Sequence, residues 1–355
     1  MYSQIILQYH KCFKTTFTKS IPLPEMQLQK ENTLFLVLAP LNSSQLQFLL
    51  FPSNHRHLQG SLHHRLIIRF VYLQSSLSGK ILATIEEPGI HDPQVYKTQT
   101  DFFETVHFEF QGDASVMKNT SDSGGNVIEF VTSPNNPDGH LRKAILPSAN
   151  AIYDRAYYWP HFTAIPAPAD EDIMIFTISK LTGRAGSRFG WALVKDKDVY
   201  LNMCEYLELA EMGVSRDTQL RALQLLKVVL EGDGSEIFHF AYEKMRDRWE
   251  KISQTVSFSK RFTIQEIPPQ YCNFFEKIRG PSPAYVWLKC EREEDTNCND
   301  VLGAANIIGR SGRLFNSEDR YVRLSLLKSD DDFNLLLYRL KELVTKENGT
   351  ETMCC

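Results

Sequence analysis

No CxxC pair and no regular cysteine spacing occur in this chain, whose seven cysteines are scattered along 355 residues. Neither a zinc ribbon nor a disulfide framework is therefore indicated, which favours a reducing, cytoplasmic setting. No charge of one sign dominates: 39 Lys+Arg against 43 Asp+Glu leave a net charge of −4, so nucleic acid and anionic membrane surfaces are not expected partners. No apolar run reads as a membrane span. The leucine-rich stretch from Thr33 to Phe51 is broken by Asn42, Ser43, Ser44, Gln45 and Gln47. Met1 to Ser20 carries lysines and polar residues where a secretory signal needs an apolar core, and Thr352 stands where a prenylation box needs cysteine. What is there is an ordinary globular balance, 43% hydrophobic and 23% charged, with length enough for one large or two ordinary domains.

Against that plain background, the stretch from Asp172 to Lys195 stands out. It reads as a buried strand over 172–179, a polar glycine-rich turn, and a second apolar strand over 190–195. Lys180 stands at the end of the first strand, after Thr177 and Ser179, with Arg188 eight residues further on. A poorly solvated lysine amine is more easily neutral and nucleophilic. Hydroxyls and a guanidinium beside it suit a phosphate, and Gly183, Gly186 and Gly190 let the backbone come close. A lysine beside a phosphate site is the layout of a pyridoxal-phosphate enzyme, in which the lysine holds the cofactor as a Schiff base. A solvated lysine in a hairpin turn is the plainer alternative.

The segments upstream supply matching parts. Thr132-Ser-Pro-Asn-Asn-Pro-Asp-Gly139 follows a strand over 126–132, and the apolar run Ala151–Trp159 is interrupted by a single carboxylate, Asp154. A buried carboxylate is costly without a cationic partner, and a protonated pyridine nitrogen is one such partner. Asn136 and Tyr157 could reach the ring's phenolate oxygen. Taken singly, Asn-Pro-Asp-Gly is also a β-turn and Asp154 also a strand-end residue bonded to backbone.

From Tyr96 to about Phe333 the chain resembles the plant alliinase and tryptophan aminotransferase-related family, within the fold-type I pyridoxal-phosphate aminotransferases. The resemblance is carried by Ser-Pro-Asn-Asn-Pro-Asp-Gly, Tyr-Asp-x-Ala-Tyr-Tyr-Trp-Pro-His, Ser-Lys-x-Thr-Gly-x-Ala-Gly-Ser-Arg-x-Gly-Trp-Ala-Leu and Arg-Tyr-Val-Arg-Leu-Ser-Leu. It implies pyridoxal 5'-phosphate as cofactor. Lys180 would be the Schiff-base lysine, Asp154 the pyridinium partner, Asn136 and Tyr157 the phenolate partners, and Thr177, Ser179 and Arg188 the phosphate ligands. It also favours Arg323 over Arg320 for the substrate carboxylate, because a planar guanidinium grips a carboxylate with two hydrogen bonds and the two positions lie on opposite faces of a strand. Solvent-facing roles for both arginines are the alternative.

The expected fold is α/β, with a mostly parallel sheet, helices on both faces and a smaller C-terminal α+β domain. Residues 1–92 read as a divergent or poorly ordered region, 93–235 as the core of the cofactor-binding domain and 236–355 as the small domain. In the first region Pro40 and Asn42 stand where the family has glycines near a phosphate-cupping turn around Ser43-Ser44. No aromatic before Tyr96 is an obvious partner to stack on the ring. The segment from Asn54 to Gly79 holds four of the ten histidines, at spacings that match no ligand set, and reads as a solvated loop. Helices are expected over 198–212, 216–230, 236–256 and 331–344, the last N-capped by Ser329 with acids in its first turn.

The expected activity is transamination of an aromatic amino acid, tryptophan with a 2-oxo acid acceptor, by a homodimer. Small-molecule amino and oxo acids are thus the expected partners. An alliinase-type carbon–sulfur lyase is the alternative, ranked second because the cysteine-rich EGF-like spacing that alliinases carry is missing. A catalytically impaired remnant of the family is the third reading.

Overall fold

The computed structural model describes residues 34–38, 79–83, 108–117, 126–146, 150–211 and 214–351. The Ser43-Ser44 turn, the histidines between Asn54 and Gly79 and the ring-stacking position before Tyr96 lie outside the described residues.

A seven-stranded sheet forms the large layer. Its strands are β1 (Leu34–Leu38), β2 (Gly79–Ala83), β3 (Phe108–Asp113), β4 (Asn126–Thr132), β5 (Asn150–Asp154), β6 (Ile173–Thr177) and β7 (Gly190–Val194), in the spatial order β1-β7-β6-β5-β4-β2-β3. The pairings β2–β3, β2–β4, β4–β5 and β5–β6 are parallel, whereas β7 runs antiparallel to both of its neighbours. The sheet is therefore mostly parallel, as expected. The buried strands are continuous apolar runs, Ile-Met-Ile-Phe in β6 and Trp-Ala-Leu-Val in β7, because a parallel sheet is covered on its faces. Two of the seven strands, β1 and β2, come from the first 92 residues. β1 lies at the start of the leucine-rich stretch that begins at Thr33. β2 is not legible in the sequence, since five residues of Gly-Lys-Ile-Leu-Ala carry too little periodicity to stand out from the stretch before them.

Helices α2 (Lys197–Glu211), α3 (Arg216–Leu230) and α4 (Ser235–Val256) follow a short α1 (Ile178–Leu181). The stripe Phe238, Tyr242, Met245 and Trp249 of α4 is core. Trp159, 2% exposed, stacks on Phe238 and meets Phe176 and Trp191 edge-on, so one aromatic cluster joins α4 to the sheet. Removing an indole so placed typically costs about 3–5 kcal/mol, which makes the segment after β5 a fixed one.

The smaller layer is an antiparallel sheet in the order β12-β13-β11-β8, from β8 (Phe262–Ile264), β11 (Tyr285–Cys290), β12 (Arg310–Ser311) and β13 (Tyr321–Ser325). A hairpin of β9 (Gln270–Cys272) and β10 (Lys277–Arg279), a short α5 (Cys298–Ala304) and the closing α6 (Asp330–Glu351) complete it. Ser329 caps α6 through the amide of Asp332 at 3.2 Å, and Asp330, Asp331 and Asp332 fill the first turn, as expected for acids at a positive helix end.

The cysteine expectation is corrected. Cys290 and Cys298 form a disulfide, closing the link from the end of β11 to the start of α5. A separation of eight residues follows no motif, and only the fold brings the two thiols together. Among the described residues no helix is long and apolar enough to cross a membrane.

Candidate active site

Strands β4, β5 and β6 end side by side: Thr132 pairs with Asp154, and Asp154 with Ile175. The carboxyl edge of a parallel sheet is where ligands of α/β proteins bind. Two further backbone bonds extend the ladders past the strand ends, Ser133 N to Asp154 O at 3.0 Å and Arg155 N to Ile175 O at 2.8 Å. Buried Arg155 adds a third tie, donating to the Ser133 carbonyl at 3.1 Å and pairing with Glu171. The residues that leave this edge are thus fixed relative to one another.

Asp154 is the last residue of β5, so the strand stops well short of the end of the apolar run Ala151–Trp159. It is 6% exposed, and its Oδ1 accepts from the Ala156 amide at 2.9 Å. That bond turns the chain out of the sheet and brings Tyr157 round. The strand expected over 172–179 also ends early, at Thr177. The Thr177 hydroxyl accepts from the Ser179 amide at 3.1 Å and lies 3.0 Å from the Phe189 carbonyl, so it N-caps one helical turn, α1. Lys180 therefore sits on a capped helical turn between buried Ser179 and Leu181. Ser179 Oγ lies 2.9 Å from the Thr177 hydroxyl. Arg188 ends the following 3-10 turn in the left-handed region, φ 50° and ψ 53°, with Nη1 donating to Ala185 O at 2.9 Å.

The small layer supplies the other half. Arg323 on β13 is directly opposite Trp287 on β11, so Tyr285 lies on the same face as Arg323, one diagonal step away. The Arg323 guanidinium lies 3.8 Å from the Tyr285 ring centroid and 4.7 Å from that of Phe315, and its Nη1 donates to Asn136 Oδ1 at 2.5 Å. Tyr285 and Tyr157 bring their hydroxyls to 2.5 Å, and Lys180 Nζ lies 5.3 Å from the Tyr157 ring centroid. Burial pushes the Tyr285 hydroxyl up, but Arg323, Lys180 and the Tyr157 hydrogen bond outweigh it and hold it below the ordinary phenol range. The structure thus gathers Lys180, Tyr157, Asn136 and Arg323 around a residue the sequence reading passed over, Tyr285. Asp154, Thr177, Ser179 and Arg188 stand along the same sheet edge. Arg320 is elsewhere, with its guanidinium on the carbonyls of Cys290, Arg292 and Glu293 at 3.1, 2.8 and 3.1 Å.

The donor set fits pyridoxal phosphate. A buried carboxylate is matched to a pyridinium, a phenol and an amide to a ring oxygen, an amine to a carbonyl carbon, and hydroxyls with a guanidinium to a phosphate.

With this geometry in hand, likeness to known proteins decides the family. The family model described as Allinase matches residues 84–344. The chain belongs to the alliinase family. Tryptophan aminotransferase-related protein 3 of Arabidopsis thaliana is 54% identical over 257 residues, 71% of this chain and 56% of that one. Alliin lyase 1 of Allium sativum is 43% identical over 288 residues, 78% of this chain and 59% of that one. The chain thus spans a little over half the length of the curated relatives it matches. An aspartate aminotransferase structure from Thermotoga maritima superposes with a TM-score of 0.59 at 13% identity, over 97% of this chain and 82% of that one, a likeness of fold alone. The alliinase family uses pyridoxal phosphate.

Beside the site, the Asn-Pro-Asp-Gly turn is held by a polar cluster. Asp138, 1% exposed, accepts from the Arg142 guanidinium at 2.9 Å and from the His140 amide at 3.0 Å, while His140 Nδ1 lies 3.4 Å from it. His140 Nε2 donates to the Glu266 carbonyl at 2.9 Å, a link from the turn to the small layer. Gly139 closes the turn at φ +78°, where a Cβ would also press on Pro283 at 3.2 Å. The Asp138 hydrogen bond raises the His140 imidazole above its ordinary value near 6.5. A raised folded-state value means stability fully present below the unfolded value and lost as pH rises through the folded one. Thermal melts of wild type and His140→Gln should therefore differ most near pH 6, and the gap should close by pH 9. The imidazole side chain is 38% exposed, so screening keeps the effect below about 1 kcal/mol. A gap constant over that range would mean that the charge on His140 contributes nothing.

Proposed function

We propose that this alliinase-family chain is a pyridoxal-phosphate transaminase acting on an aromatic amino acid, L-tryptophan, with a 2-oxo acid as acceptor. The observation that carries the reading is the convergence of the Lys180 amine and the Arg323 guanidinium on one pair of tyrosines. An amino-acid enzyme of this kind needs an amine near the substrate's α-carbon and a cation for its carboxylate.

When bound, the cofactor supplies an electron sink for the negative charge that develops on the substrate α-carbon. Arg323, stacked and hydrogen-bonded, holds the carboxylate in one orientation. Lys180 Nζ would take the α-proton as general base and, once protonated, would serve as general acid. The Asp154 carboxylate would keep a proton on the pyridine nitrogen, and Asn136 and Tyr157 would hold the ring oxygen. Thr177, Ser179 and Arg188 would hold the phosphate, with the Thr177 hydroxyl also capping α1. The product from tryptophan would be indole-3-pyruvate, the auxin precursor. We further propose a homodimer. The expected cytoplasmic setting loses its basis to the Cys290–Cys298 bridge, because protein disulfides persist in oxidising compartments.

The second reading, a carbon–sulfur lyase, rests on the 43% identity to alliin lyase 1. The 54% identity to an aminotransferase-related protein favours transamination. Product analysis separates them. Incubation with L-tryptophan and a 2-oxo acid should yield indole-3-pyruvate in step with acceptor amination, and an S-alkyl cysteine sulfoxide should yield little pyruvate. The reverse outcome would replace transaminase by lyase.

A further inference from the structure

Tyr285 enters the site from the small layer, 128 residues beyond Tyr157, and touches both halves of the machinery. Its hydroxyl meets that of Tyr157 at 2.5 Å, and the two rings are edge-to-face at 5.5 Å. Its ring underlies the Arg323 guanidinium at 3.8 Å. Core filling alone does not account for these contacts, because phenylalanine would fill the same space without adding a hydroxyl to a buried polar pair. A buried hydroxyl is retained at a desolvation cost unless a partner satisfies it, and here the partner is the ring-oxygen residue itself.

We propose that Tyr285 is a positioning residue joining the substrate-carboxylate site to the cofactor-ring site: its hydroxyl donates to Tyr157, and its ring fixes the plane of Arg323. The direction of donation follows from charge. The Arg323 guanidinium, 3.8 Å from the Tyr285 ring centroid, makes Tyr285 the better donor. Tyr157 then accepts from Tyr285 and gives its own proton to the ring oxygen of the cofactor, a relay that strengthens its hold on that oxygen when the oxygen is negative. The cation stacked on the Tyr285 face loses orientational freedom, so less entropy is lost when a carboxylate binds it. This inference rests on the reading of the site as a pyridoxal-phosphate centre.

The test uses the full-length holoenzyme and Tyr285→Phe, Tyr285→Leu, Tyr157→Phe and the Tyr285→Phe/Tyr157→Phe pair. Its readouts are the pH midpoint of the cofactor's visible band and the KM for the amino acid. Tyr285→Phe keeps the stack and removes the donor, so the midpoint should rise by roughly half to one pH unit, the worth of one hydrogen bond, with KM changed less than about threefold. The same change in the Tyr157→Phe background should add no further shift. Tyr285→Leu should shift the midpoint equally and raise KM by roughly tenfold, the loss of a partly buried cation–ring contact. An unshifted midpoint in Tyr285→Phe, or an equal added shift without Tyr157, would overturn the relay. Even if Tyr285→Leu fails to fold, the phenylalanine variants still decide the relay. If wild type itself takes up no cofactor, the reading of the site falls and the role of Tyr285 with it. A normal wild-type band with an inert Tyr285→Phe overturns the Tyr285 role alone.

Discussion

Replacing Lys180 by alanine should abolish the visible absorption of the cofactor-loaded protein and cut turnover by roughly four orders of magnitude or more, while the thermal midpoint stays within a few degrees of wild type. Two roles are lost together, the covalent tether and the proton carrier, and each is worth several kcal/mol in a barrier. Stability should survive because the helical turn that bears Lys180 is held by other residues. Thr177 caps it, and Ile178 and Leu181 bury its apolar side, whereas the half-buried lysine makes no ion pair among the described residues. Absorbance spectra and single-turnover rates measured on both proteins check this. A variant that keeps the band, or loses less than about a hundredfold in rate, would move the role to another amine.

Asp154→Asn is the second large effect expected. Asparagine fills the same space and can still accept from the Ala156 amide, the 2.9 Å bond that turns the chain out of β5. What it cannot do is hold a proton on a pyridine nitrogen by charge. Cofactor should still bind and colour the protein, and kcat should fall by roughly two to four orders of magnitude, about 3–5 kcal/mol in the barrier. A loss smaller than tenfold, about 1.4 kcal/mol, would make Asp154 a backbone-holding residue only.

Asp154 is legible in the sequence because it interrupts an apolar run with a charge, and Lys180 because it stands beside hydroxyls and an arginine where a strand gives way to a glycine-rich turn. Arg323 is singled out by the family resemblance, inside Tyr-Val-Arg-Leu-Ser. Tyr285 is not, since tyrosine in Ala-Tyr-Val-Trp-Leu is what any half-buried strand prefers. Its meaning lies in contacts with Tyr157 and Arg323 that only the packing of two layers creates. The Arg323–Asn136 bond, which spans 187 residues, is of the same kind.

The element ends were misread for a local reason. Ala151–Tyr158 looks like one aromatic-rich strand, but the Asp154 side chain captures the Ala156 amide and stops the ladder after five residues. Thr177 does likewise at the start of α1, where a hydroxyl competes successfully for the amide that a strand would leave to its neighbour. The disulfide escaped because cysteine spacing carries information only in a motif, and Cys290 and Cys298 belong to none.

Lys180 is the residue expected to carry the cofactor covalently. The purified protein should be loaded with pyridoxal 5'-phosphate, reduced with borohydride, digested and mapped by mass. One pyridoxyl-phosphate adduct on the peptide containing Lys180 is the expected result, and addition of L-tryptophan before reduction should release it from that peptide. An adduct on a different lysine, or scattered labelling with none at Lys180, would contradict the account.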